Sequence, residues 1–126
     1  MFEISVSQDF AAAHRLNDYP GQCSNVHGHT WKVELKICSE ELNDSGMVMD
    51  FREVKAVLAK ILDRYDHCFL NEISPFDRIN PTAENIAREI YNEFRSASTT
   101  TNLIMVRVWE SPNCCAVYRE ERTCGL

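Results

Sequence analysis

His27-Gly28-His29-Thr30-Trp31-Lys32-Val33-Glu34-Leu35-Lys36-Ile37 alternates without a break. His27, His29, Trp31, Val33, Leu35 and Ile37 share one parity. Thr30, Lys32, Glu34 and Lys36 take the other. Period two means side chains on opposite faces of a strand, so residues 27–38 read as a strand with one buried face. The two imidazoles are continuous with that face and sit where it reaches the strand's end. Gly28 between them lets another backbone or a ligand come close. A third imidazole from a neighbouring strand would complete a three-histidine set with an open fourth position, the pattern of a catalytic zinc site.

Upstream, residues 2–14 alternate as well. Phe2, Ile4, Val6, Phe10, Ala12 and His14 oppose Glu3, Ser5, Ser7 and Asp9. This predicts a second half-buried strand, with a bulge or bend near Gln8-Asp9, and puts His14 on its apolar side at the end. The intervening residues 15–26 are rich in Asn, Asp, Pro, Gly and Ser and read as a loop.

Downstream, Asn43 to Gly46 reads as a reversal and Met47-Val48-Met49 as a short extended piece. Asp50 with Glu53 resembles a capping box. Val54, Val57, Leu58, Ile61, Leu62 and Tyr65 then form one helical stripe. An irregular stretch over 66–80 leads to a second helix, capped by Asn80 with Pro81 at its first position, or by Thr82. Its stripe is Ile86, Ala87, Ile90, Tyr91 and Phe94. A polar connector spans 96–102. Leu103 to Glu110 is apolar on both faces, as for a central strand. Ser111-Pro112-Asn113 is a turn, Cys114 to Tyr118 a last strand, and 119–126 a charged tail. The order ββααββ predicts an α+β fold with a four-stranded antiparallel sheet and both helices on one face. Open sheet edges invite pairing between subunits, so a homo-oligomer is expected.

With 126 residues the chain is expected to be one domain, 1–126, able to build a core without disulfide staples. A net charge of −6 argues against a nucleic-acid partner, which needs a basic stripe. No apolar run is long enough for a membrane span. Met1-Phe2-Glu3-Ile4-Ser5-Val6 alternates and does not read as a signal peptide. The expectation is a cytoplasmic protein whose six cysteines are reduced.

Several residues carry candidate chemistry, each with a plainer alternative. His14, His27 and His29 can be metal ligands or three unrelated histidines; an imidazole on an apolar face needs partners for both nitrogens. Cys23 can be a fourth ligand, a nucleophile or base beside a metal, or an inconsequential loop cysteine. Asp66-His67 can be a carboxylate orienting an imidazole for proton transfer, or a helix-end pair favoured by the dipole. Glu110 ends an apolar strand, where a carboxylate can take two N–H groups of a planar ligand or simply face solvent. Cys38, Cys68, Cys114, Cys115 and Cys124 lack metal-type spacing and read as structural.

Six motifs in order resemble one family: Phe10-Ala11-Ala12-Ala13-His14-Arg15-Leu16; Cys23-x3-His27-Gly28-His29; Gly46-Met47-Val48-Met49-Asp50-Phe51; Leu62 to Asn71; Asn80-Pro81-Thr82-Ala83-Glu84-Asn85; and Val108-Trp109-Glu110. Together they are similar to the 6-pyruvoyl-tetrahydropterin synthase/QueD family over essentially the whole chain. The resemblance implies the tunnelling fold (T-fold), with subunit sheets joined into a barrel, as a hexamer (dimer of trimers) or tetramer. It implies Zn²⁺ held by His14, His27 and His29, Cys23 as catalytic thiol, Asp66 and His67 as a proton-transfer pair reaching in from a neighbouring subunit, and Glu110 anchoring the pterin.

The implied substrate is 7,8-dihydroneopterin triphosphate. Three residues between Cys23 and His27 resemble the QueD branch, which makes 6-carboxy-5,6,7,8-tetrahydropterin with release of acetaldehyde and triphosphate, for queuosine and other 7-deazapurines. The alternatives are 6-pyruvoyl-tetrahydropterin formation and a zinc- or pterin-binding module without turnover. A third branch carries Glu in place of the cysteine, and Cys23 argues against it. Arg15 and Lys32 are nearby candidates for the triphosphate. Ser111 after the anchoring Glu, and the Cys114-Cys115 pair, depart from the family's usual pattern.

Overall fold

The computed structural model describes residues 1–98 and 102–121. Connector positions 99–101 and the end of the charged tail, with Cys124, lie outside the described residues. Strand β1 (Phe2–His14) pairs antiparallel with β2 (His27–Ser39) in an unbroken register from Phe2↔Ser39 to His14↔His27. The bulge expected near Gln8-Asp9 is absent; alternation there is compatible with straight pairing. Register shifts fall instead in the ladders of β4 (Leu103–Ser111), between Lys36 and Ile37 where β2 meets it and between Trp109 and Ser111 on its other side. β4 in turn pairs with β5 (Cys114–Tyr118) across a tight hairpin.

The sheet has five strands, in the order β3-β1-β2-β4-β5, and is mixed. The expected four-stranded antiparallel sheet is corrected by β3 (Cys68–Phe69), which pairs parallel to β1 through Ala12↔Cys68 and Ala13↔Phe69. Two residues carry no readable period, and their pairing depends on where α1 delivers the chain. Met47-Val48-Met49 forms no strand; Val48 and Met49 pack against the core from a bent segment.

Helix α1 (Phe51–Leu62) starts at Asp50, whose side chain accepts from Arg52 N rather than closing a reciprocal box with Glu53. Helix α2 (Ala83–Ala97) is capped by Thr82, whose Oγ1 accepts from Asn85 N at 3.1 Å. The apolar stripes of both helices cover one face of the sheet. Val54, Leu58, Ile86, Ile90 and Phe94 meet Phe10, Trp31, Val33, Leu35, Val106 and Val108, all buried. Each such side chain contributes about 1.5–3 kcal/mol by leaving water, against roughly 0–1 kcal/mol for an exposed ion pair, so this layer and not the surface charge holds the fold. Tyr65 is sealed in the same layer, donating to Glu93 Oε2 at 3.0 Å, and burial pushes its hydroxyl up to about 12.

Cys38 is disulfide-bonded, contrary to the expectation of reduced thiols throughout, whereas Cys23, Cys68, Cys114 and Cys115 are free. Among the described residues no helix is long and apolar enough to cross a membrane.

Replacing Thr82 by Ala removes the acceptor for one of the four unpaired N–H groups that open α2. The expected cost is about 1 kcal/mol of unfolding free energy in a denaturant titration, with an unchanged m-value.

Candidate active site

The β1–β2 register sets His14 directly opposite His27 and Ala12 opposite His29, so three imidazoles share one end of the helix-covered face. Their ring centroids lie 4.5–5.2 Å apart and edge-on. Trp31 closes the site from the core side. Its ring meets His14 at 4.9 Å and His29 at 5.2 Å, it stacks on Phe10, and its Nε1 donates to Ala12 O. Glu110 joins this group from β4. One ligand atom from each of His14, His27, His29 and Glu110 falls within 4.8 Å of every other.

Backbone carbonyls decide the tautomers. His14 Nδ1 stands 2.8 Å from Pro81 O and His27 Nδ1 stands 2.7 Å from Asn25 O. A carbonyl only accepts, so each Nδ1 carries the proton and each Nε2 presents a lone pair to the centre. The His14 side chain is 3% exposed. Burial holds its pKa below the ordinary 6.5, opposed by the Pro81 bond and reinforced by repulsion from His27.

Glu110 Oε1 approaches His29 Nε2 to 2.9 Å and His14 Nε2 to 3.6 Å, yet among the described residues the buried Nε2 atoms of His14 and His29 have no partner in hydrogen-bond geometry. The His14 lone pair and the carboxylate facing it repel, and each unmet buried polar atom costs about 1–3 kcal/mol. A cation at the centre would remove both costs. The donor set of imidazole nitrogens and one carboxylate suits zinc or another divalent transition metal. Among the described residues this is the one such cluster.

Cys23 lies in a short 3-10 turn (Gln22–Ser24), exposed, and outside the ligand group. Asp66 and His67 do form a pair, with Oδ2 and Nδ1 3.0 Å apart. His67 is held at φ 58, a left-handed backbone that a non-glycine adopts at a cost of about 1 kcal/mol. Two bonds to Ala11 hold it there: Ala11 N donates to Asp66 Oδ1 at 2.9 Å, and His67 N donates to Ala11 O at 2.6 Å. The His67 ring, 82% exposed, faces away from this chain's own core. Glu110, read from sequence as a ligand anchor apart from the metal, is brought against the imidazoles.

Sequence reasoning missed the Pro81 and Asn25 carbonyls, because an oxygen common to every residue leaves no signal in a string of letters. Of the two caps it offered for the second helix, Asn80 or Thr82, Thr82 is the one used, and the Asn80 side chain pairs instead with the backbone of Asn17.

A cavity of about 700 Å³ opens beside the cluster, lined by Gly28, His29, Lys32, Trp109, Glu110 and Ser111 among others. A Cβ on Gly28 would find no atom nearer than Ala12 O at 3.9 Å, so the missing side chain leaves the cavity wider. Lys32 Nζ lies 4.8 Å over the Trp109 ring and gives this space a positive group. A hollow of about 760 Å³ between α1 and α2 is as large but carries neither imidazole nor thiol, so the chemistry favours the first.

Fold and site together define an α+β domain of the tunnelling-fold type built around an imidazole–carboxylate cluster. The family described as 6-pyruvoyl tetrahydropterin synthase matches residues 3–121. The chain belongs to that family. It is 35% identical over 143 residues to the 6-carboxy-5,6,7,8-tetrahydropterin synthase of Haemophilus influenzae, covering 95% of this chain and 100% of the relative. Against the Bacillus subtilis protein of the same name it is 34% identical, covering 96% and 87%. In three dimensions it is similar to Caenorhabditis elegans 6-pyruvoyl tetrahydropterin synthase, with a TM-score of 0.89 at 27% identity over 95% and 96% of the two chains. The Plasmodium falciparum protein of that name superposes with a TM-score of 0.76 at 21% identity, a likeness of fold.

The Ala11 N–H bond, with His67 adding, holds the Asp66 carboxyl below its ordinary 3.8. That stabilisation is present above pH 3.8 and is lost as the pH falls through the lowered folded value. Asp66→Asn is expected to lose stability at neutral pH and to show a shallower acid decline than the parent, read by thermal unfolding across the acid range.

Proposed function

We propose that this protein converts 7,8-dihydroneopterin triphosphate to 6-carboxy-5,6,7,8-tetrahydropterin, releasing acetaldehyde and triphosphate, as a step toward queuosine and other 7-deazapurines. The observation that carries the reading is the convergence of ring nitrogens of His14, His27 and His29, with the tautomers of His14 and His27 fixed by carbonyls. The printed names of the two bacterial relatives support the choice of product.

His14, His27 and His29 would hold Zn²⁺. Bound there, the ion would supply Lewis acidity to the side-chain hydroxyls of the substrate and acidify the neighbouring C–H and O–H groups. Glu110 would accept two N–H groups from the guanidine-like edge of the pterin and so fix the ring's orientation. The Cys23 thiol would move a proton on one side of the substrate side chain. His67, oriented by Asp66, would move one on the other. Its exposure within a single chain supports delivery from a neighbouring copy, in a cytoplasmic homo-oligomer of the same one-domain chain.

Formation of 6-pyruvoyl-tetrahydropterin by triphosphate elimination is the second reading. The likeness to the C. elegans protein favours it.

Incubating zinc-loaded protein anaerobically with 7,8-dihydroneopterin triphosphate is expected to give the mass of the carboxy product together with acetaldehyde. The pyruvoyl mass would select the second reading, and no turnover would favour a binding module. Cys23→Ala is expected to keep zinc and lose roughly 10²–10⁴-fold in turnover; full activity would remove the thiol from the mechanism. Glu110→Gln separates two roles by metal analysis and pterin titration. Retained zinc with weakened pterin binding fits the anchor; lost zinc would make Glu110 a ligand.

A further inference from the structure

Two asparagines at motif ends, Asn71 closing one motif and Asn80 opening the next, have no part in the chemistry above. Their side chains do the same unusual thing twice. Asn71 Oδ1 accepts from Arg15 N at 2.9 Å while its Nδ2 donates to Arg15 O at 2.9 Å. Asn80 Oδ1 accepts from Asn17 N at 2.8 Å while its Nδ2 donates to Asn17 O at 3.1 Å. A side-chain amide offers the same donor and acceptor as a peptide group. Each asparagine therefore serves one residue as a strand partner would.

Arg15 and Asn17 are two apart, and in an extended chain alternate residues direct their N–H and C=O to the same edge. Leu16 between them must point to the opposite edge, and it does: Leu16 N donates to Cys23 O at 2.8 Å. On the outer edge, Ala11 is met by Asp66 and His67, β3 then runs alongside Ala12 and Ala13, and Arg15 is met by Asn71 and Asn17 by Asn80. On the inner edge, His14 is paired with His27 and Leu16 with Cys23.

We propose that Asn71 and Asn80 are positioning residues: they clamp residues 15–17 as a continuation of β1 beyond its last metal-type ligand, and through Leu16 they fix the backbone of Cys23. The loop from 15 to 26 has no buried side chain to hold it. Without the clamp, the register that sets His14 against His27 ends at His14, and the turn bearing Cys23 loses its tie to β1. Asn80 links this clamp to the ligand itself, because the next residue, Pro81, supplies the carbonyl that orients His14. The consequence for turnover rests on the proton-carrier reading of Cys23.

The test uses the full chain loaded with zinc. Asn71→Asp and Asn80→Asp keep the shape and the acceptor but set an oxygen against the Arg15 or Asn17 carbonyl. A space-filling role would leave both variants normal. The clamp predicts amide hydrogen exchange about three- to tenfold faster at Leu16, whose own bond neither substitution touches, with zinc stoichiometry retained. It also predicts a fall in kcat exceeding any change in KM. Exchange at Leu16 unchanged in both variants would overturn the proposal, as would wild-type kcat despite faster exchange. Undiminished turnover in Cys23→Ala would overturn only the proton-carrier reading, and Leu16 exchange would then decide the clamp alone.

Discussion

Everything at this site depends on one register, His14 opposite His27 in the β1–β2 ladder. Strand side chains have a period of two, so a slip of one residue would turn His27 and His29 to the other face and leave His14 facing Gly28. That slip is opposed along the ladder's whole length. It would also expel Trp31, Val33, Leu35 and Ile37 from the layer beneath the helices, at a cost of about 1.5–3 kcal/mol for each side chain. The core of the sheet thus fixes the ligands at its end. The imidazoles contribute little to stability themselves, and two of them bury Nε2 atoms that have no partner in hydrogen-bond geometry among the described residues.

The second constraint is the direction of the lone pairs. Three nearby imidazoles need not form a site, since each could donate toward the centre as readily as accept. Pro81 O and Asn25 O remove that freedom for His14 and His27 by taking the Nδ1 protons. Pro81 stands between Asn80, which ties down the loop after β1, and Thr82, which caps α2. Three consecutive residues thereby couple the helix start, the ligand tautomer and the loop path.

The two faces of the sheet divide the work. The helix-covered face carries the core and, at its end, the imidazole cluster. The other face is polar, with Lys32, Glu34 and Arg107 on neighbouring strands. Arg107 Nη1 donates to Glu34 Oε1 at 3.2 Å, and Lys32 and Arg107 both lie over Trp109. The cavity beside His29 and Glu110 opens where the two faces meet at the strand ends. That space holds the Glu110 carboxylate and the Lys32 ammonium together.

Much of this was legible in the string of residues. Alternation over 2–14, interrupted only near Gln8, and without a break over 27–37 determined two strands, their buried parity and the faces of His14, His27 and His29, because period two survives whatever the partner is. Threefold and fourfold spacing determined both helices, and ordered motifs pointed to the family. Tertiary structure alone decided the parallel pairing of Cys68-Phe69, the entry of Glu110 among the imidazoles, and the tautomers set by Pro81 and Asn25. It alone turned Asn71 and Asn80 from cap and motif letters into strand substitutes. Each of these is a contact between backbone or side-chain groups far apart in the chain, made by atoms that every residue or many residues possess. A sequence records which groups exist; only the folded register decides which of them meet.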